Sequence, residues 1–157
     1  MKFKFKRWIL VSLLPLAFAC GGEQKSEQVT TQAPSKAETA SDPYENWKDY
    51  QGTGPVSEFT LPADVDESMA ASGQTIFESK CTACHKVDKK FIGPSPQGIL
   101  SRRNPAWIMN MILVPDKMVM EDPIAKKLIV EYNGSPMANQ NLTEEEARAV
   151  LEYFRTL

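Results

Sequence analysis

The chain has 157 residues, with 18 Lys and Arg against 20 Asp and Glu, a net charge of −2. That near-balance gives no electrostatic ground for nucleic-acid binding. Three cysteines and one histidine confine any thiol or imidazole chemistry to a few positions.

Residues 1–20, MKFKFKRWILVSLLPLAFAC, open with Lys2, Lys4, Lys6 and Arg7 and continue as an apolar run from Trp8 to Ala19. That order is the pattern of an export signal, and the run is too short to span a bilayer comfortably. Cys20, preceded by LAFA and followed by Gly21 and Gly22, resembles a bacterial lipoprotein cleavage site. This predicts lipidation at Cys20, with ordinary cleavage leaving a free thiol as the alternative. Residues 21–42 hold one sizeable apolar residue, Val29, so they cannot bury enough surface to offset chain entropy. They are predicted to form a disordered tether with a root-mean-square span of roughly 25 Å. Residues 43–65 form an N-terminal arm whose Trp47, Tyr50 and Phe59 predict packing against the folded domain. The arm's place on that domain is not readable from the pattern.

A first helix is predicted from Asp66, as cap, to about Cys84. Asn104 and Pro105 read as cap and first-turn proline of a second helix ending before Pro115, and Asp122 with Pro123 repeats the signal for a third, stopped by Asn133 and Gly134. Thr143 and Glu146 form a capping box, and the last helix from Glu144 carries Ala147, Val150, Leu151 and Phe154 on one apolar stripe. No strand alternation is present, so the predicted class is all-α.

At the end of the first helix stands CTACHK, with Cys81, Cys84 and His85. The spacing C-x-x-C-H reads as covalent attachment of one c-type haem. Residues three apart on a helical turn share a face, so both thiols can reach one edge of a porphyrin while the next residue, His85, binds iron. A Cys81–Cys84 disulfide, a thioredoxin-like redox pair and a zinc site compete with this reading. The thioredoxin alternative lacks a βαβ pattern, and zinc lacks ligands.

Because His85 is the only histidine, a second imidazole of this chain cannot occupy the other face of the iron. That leaves Met, Lys, the N-terminus or an empty position, with Met the frequent partner. Met109 and Met111 lie in the apolar stretch PAWIMNMILV and are expected in the core. Met118 and Met120 follow Pro115 in what reads as a connection. Met137 stands isolated in the turn-forming stretch NGSPMANQ, 52 residues after His85. A methionine there has little packing reason, so Met137 is the predicted axial ligand, with Met118 or Met120 next. Trp107 could pack beside a haem, hydrogen-bond a propionate through its indole N–H, or simply fill the core.

From about residue 66 to 157 the order Gly73, Phe77, Cys81, Cys84, His85, Gly93, Pro94, Met137 and a C-terminal helix resembles small class I cytochromes c. The family usually has proline after the methionine; here Pro136 precedes Met137. The resemblance implies a fold of about four helices around one covalently bound haem, and a close crossing of the first and last helices at Gly73. It also implies a Pro94 carbonyl that accepts a hydrogen bond from His85 Nδ1. The segments FIGPSPQGI, RRNPAWIMNMI and GSPMANQNLTEEEARAVLEYF are similar to cytochrome c modules associated with nitrous oxide reduction in some bacteria.

The expected function is that of a monohaem carrier of single electrons between respiratory redox partners, not an enzyme. It is expected to be monomeric, lipid-anchored on the periplasmic side of a bacterial membrane, and possessed of a nitrous oxide reductase as one candidate acceptor. A haem-based sensor or small-ligand binder with an open sixth iron position is the alternative. Residues 80–127 hold nine basic and four acidic residues, which would either steer an acidic partner or simply solvate the surface.

Overall fold

The computed structural model describes residues 42–157. The signal (1–20), Cys20 and the tether up to residue 41 lie outside the described residues. Five helices follow in order: α1 Glu67–Lys80, α2 Pro105–Leu113, α3 Pro115–Glu121, α4 Pro123–Glu131 and α5 Glu144–Phe154, with a 3-10 turn at Ile99–Ser101 between α1 and α2. Among the described residues there is no strand. The all-α expectation holds, with one helix more than expected.

The helix starts follow local capping chemistry. Asp66, Asn104, Asp122 and Thr143 each accept a backbone N–H in the first turn of α1, α2, α4 and α5, and Thr143 and Glu146 complete a reciprocal capping box. Two expectations require correction. The segment after Pro115 is the helix α3, not an open connection: Val114 supplies no side-chain cap, and Pro115 occupies the first turn, where its missing N–H costs nothing. Helix α1 ends at Lys80 rather than Cys84, because the Thr82 hydroxyl takes the Glu78 carbonyl at 2.7 Å and the chain tightens into a turn at Cys81.

The dominant helix pair is α1 with α5. They cross at Gly73, where a Cβ would lie 1.9 Å from the backbone oxygen of Ala149. Only glycine permits that approach. Phe77 sits beside the crossing, its ring 5.6 Å from Tyr153 and 5.7 Å from Phe154. Ala147, Val150, Leu151 and Phe154 are all buried, as the stripe predicted. Each of the larger three contributes about 1.5–3 kcal/mol by leaving water.

The arm packs across α2, α3 and α4. Asn110, buried on α2, takes Val56 N–H on its carbonyl at 2.9 Å and donates its amide to Gln51 O and Val56 O. Thr53 N–H points at Met118 Sδ at 3.3 Å, and Tyr50 donates its hydroxyl to Asp122 at 2.8 Å. At the arm's far end, Arg155 donates to the carbonyls of Pro62, Ala63 and Asp64.

Arg155 is itself held by Glu152, a fully buried carboxylate that also accepts from Arg148 and from the Asp66 N–H. Burial pushes the Glu152 carboxyl up, but the Asp66 N–H and the two guanidinium groups outweigh it and hold it below the usual carboxylate range. A folded-state value below the unfolded one means stability that is full above the ordinary glutamate range and is lost as pH falls through the folded value. Thermal unfolding followed across pH 2–7 should therefore show a Glu152→Gln variant less stable than the wild type at neutral pH, with the difference shrinking below about pH 4. A gap that stays constant with pH would contradict this role.

Candidate cofactor site

Cys81 closes α1, giving its N–H to Phe77 O at 2.9 Å. Its own carbonyl then accepts from both Cys84 N and His85 N, at 3.0 and 2.9 Å. The motif is thus a single helical turn appended to α1, and the three-residue spacing keeps both thiols on one side even though the helix proper has ended. The thiols are not joined to each other; Cys81 is half-buried and Cys84 exposed. Burial pushes the Cys81 thiol up, with Lys80 opposing and Cys84 adding to the rise.

His85 is oriented from the loop that follows. Its Nδ1 lies 2.7 Å from Pro94 O. A carbonyl only accepts, so Nδ1 carries the proton and Nε2 is the free ring nitrogen. The loop holding Pro94 is pinned by Arg102, which donates to Ser95 O at 2.7 Å and Gln97 O at 2.9 Å, and by the Ser95 hydroxyl on Val87 O. Gly93 seats the ring: a Cβ there would lie 2.5 Å from His85 Cε1. Gly93→Ala is expected to displace the imidazole at a cost of about 1–3 kcal/mol and to lower the yield of low-spin holoprotein. Visible spectra of matured wild type and variant read that yield, and equal yields would contradict the seat.

Cys81, Cys84, His85, Gly93, Pro94, Trp107 and Met137 all line one cleft. Phe77 of α1, Ile108, Met111 and Ile112 of α2, Leu128 and Ile129 of α4, and Val150 and Phe154 of α5 supply most of its surface as carbon. Met137 reaches it from a loop bracketed by left-handed residues, Asn133 (φ 58°) and Gly134 (φ 76°) before it and Asn141 (φ 51°) after it. Asn and Gly are the residues that adopt this conformation most readily.

The other methionines separate cleanly. Met118 is fully buried, its sulfur taking the Thr53 N–H, and Met120 is 67% exposed. Neither lines the cleft, so both fall away as ligand candidates. Met111 was expected in the core with Met109, but it stands half-buried on the cleft wall. The i,i+3,i+4 relation of Met111 to Trp107 and Ile108 carried that signal. Trp107 is placed differently from one expectation: its ring lines the cleft, but its indole N–H donates to Asp122 at 3.2 Å and is not free for a propionate. Among the described residues no group of three or more His, Cys, Asp or Glu gathers to hold a zinc ion.

An apolar cleft that receives two unbonded thiols, an oriented imidazole and a thioether fits a covalently attached haem. The family described as "Cytochrome c" matches residues 70–157. The chain belongs to the cytochrome c family. It is 31% identical over 88 residues to cytochrome c-551 of Ectopseudomonas mendocina, covering 55% of this chain and 99% of the relative. Cytochrome c-551 of Stutzerimonas stutzeri is 27% identical over 94 residues, covering 59% and 84%. Among solved structures, a cytochrome c from Rhodothermus marinus superposes with a TM-score of 0.64 at 40% identity, covering 72% of this chain and 95% of that one. The fold is the small all-α fold of class I cytochromes c, and the cofactor is one haem c bound through Cys81 and Cys84. As a member of this family the protein is a monohaem electron carrier with redox-protein partners.

Proposed function

We propose that the protein carries single electrons between respiratory partners on the periplasmic side of a bacterial membrane, tethered by lipid on Cys20, with a nitrous oxide reductase as a candidate acceptor. The observation that carries the site assignment is the His85 Nδ1–Pro94 O contact of 2.7 Å in the same cleft as Met137. Haem c supplies a reversible one-electron couple at iron. His85 would hold the iron through Nε2, its ring fixed by Pro94 and seated on Gly93. Met137, on the same cleft, would offer its thioether sulfur to that iron, and a neutral thioether favours the reduced state relative to a second imidazole. With His85 and Met137 both holding it, the iron would exchange electrons with little change of ligands. The lining is mostly apolar.

The tether rests on the basic start, apolar run and Cys20 of the sequence. Its reach of roughly 25 Å would keep the domain near a membrane-bound donor and raise the effective concentration of each. The basic surplus of residues 80–127 fits an acidic partner. Reduced protein mixed with purified nitrous oxide reductase and nitrous oxide should reoxidise at a rate that falls as salt rises. Reoxidation no faster than without the reductase removes that partner. In cells, Cys20→Ser should move the protein from the membrane to the soluble periplasmic fraction, whereas an unchanged distribution removes the lipid anchor.

A further inference from the structure

The arm reaches the wall of the haem cleft through one buried carboxylate. Asp122 is fully buried, and its two oxygens accept from three donors: Trp107 Nε1 at 3.2 Å, Ala125 N at 2.8 Å and the Tyr50 hydroxyl at 2.8 Å. Two of those donors belong to cleft-lining residues, Trp107 and Ala125, so the carboxylate stands one residue layer behind the cleft. The third comes from the arm, outside the stretch matched to the family. Every donor points inward, as an ionised carboxylate requires.

The arm also packs tightly on this layer. Gly52, at φ 74°, passes so close that a Cβ would lie 2.7 Å from Trp107 Cδ1 and 3.3 Å from Asp122 Oδ2. Among the described residues no buried polar side-chain atom lacks a partner. Arg103 is a counter-charge that feels Asp122, its guanidinium 5.3 Å from the Trp107 ring and 5.2 Å from that of Tyr44. Tyr44 in turn donates to Ile124 O and lies under Lys127. None of these groups makes a direct ion pair with Asp122 among the described residues. A charge shielded from water in this way acts over a longer distance than a surface charge and is screened less by salt.

We propose that Asp122 and Tyr50 are positioning residues for the redox equilibrium, the carboxylate favouring the ferric form through the Trp107 wall and the arm's hydroxyl moderating it. This rests on the haem assignment above. Ferric iron carries one more positive charge than ferrous, so a fixed negative charge nearby lowers the midpoint potential. The Tyr50 O–H dipole offsets part of that charge. Burial, with the hydrogen bond to Asp122 adding to it, pushes the phenol up, so the hydroxyl keeps its proton and remains a donor.

The test is a redox titration of the full-length, haem-loaded chain at low and high salt. Variants are Asp122→Asn, Tyr50→Phe and the double variant, and the haem spectrum of each is recorded first. Asn keeps the capping and indole-accepting oxygen, so α4 retains its start. The midpoint should rise in Asp122→Asn and fall in Tyr50→Phe, both shifts persisting at high salt, and the Tyr50→Phe shift should shrink in the Asn background. A midpoint unmoved or lowered in Asp122→Asn, or raised in Tyr50→Phe, overturns the proposal. If Asp122→Asn does not mature, Tyr50→Phe alone decides, with no fall counting against it. A wild type without a haem spectrum would instead defeat the haem assignment, so the two failures are distinguishable.

Discussion

Gly73→Ala is expected to destabilise the folded protein by about 3 kcal/mol or more, at the upper end of what overpacking usually costs. The added methyl would meet the Ala149 carbonyl oxygen at 1.9 Å and its carbon at 2.4 Å. Both atoms are backbone in the middle of α5, so no side chain can rotate away. The helices must separate, and separation loosens Phe77 from Tyr153 and Phe154. Phe77, Val150 and Phe154 also line the cleft, so the same movement disturbs the haem environment. For a domain of this size, 3 kcal/mol corresponds to a fall of roughly 10–20 °C in Tm. Thermal unfolding of matured Gly73→Ala beside wild type measures it. A Tm within a degree or two would mean that α1 and α5 do not cross at this distance.

Met137→Ala has the larger effect on the iron. Alanine cannot reach the metal, so the ferric protein is expected to become high-spin and to lose its sulfur-to-iron absorption band, and the midpoint potential should fall with the thioether. Two controls sharpen the reading. Met118 is buried with its sulfur on the Thr53 N–H, so Met118→Ala should cost about 2–5 kcal/mol of stability while the iron stays low-spin. Met111 also lines the cleft, so Met111→Ala must likewise leave the band in place if Met137 is the ligand. Loss of the band in Met111→Ala with retention in Met137→Ala would transfer the assignment to α2.

Features that depend on a few adjacent residues were legible in the sequence. Asn104–Pro105, Asp122–Pro123 and the Thr143–Glu146 box mark their helices because a cap and the backbone N–H that donates to it lie within one turn. Cys81, Cys84 and His85 were legible for the same reason, their chemistry being carried by spacing. Helix α3 escaped because Val114 gives no side-chain cap and Pro115 reads equally as a stop and as a first-turn residue. The arm's position could not be inferred, since it depends on Asn110 meeting Val56 across 54 residues and Asp122 meeting Tyr50 across 72. Such pairings leave no periodic trace. Trp107 shows the same limit: packing in the core was one of its readings, while the partner of its indole N–H, Asp122, is the cap of α4, 15 residues along the chain.

The most direct measurement is the visible spectrum of the matured protein in both oxidation states. Ferric iron that is low-spin with a sulfur-to-iron band, and ferrous iron that stays low-spin without taking up carbon monoxide readily, is the expected result for His85 and Met137 filling both axial positions. High-spin ferric iron, or ready carbon monoxide binding by the reduced protein, would contradict it and point to an open sixth position.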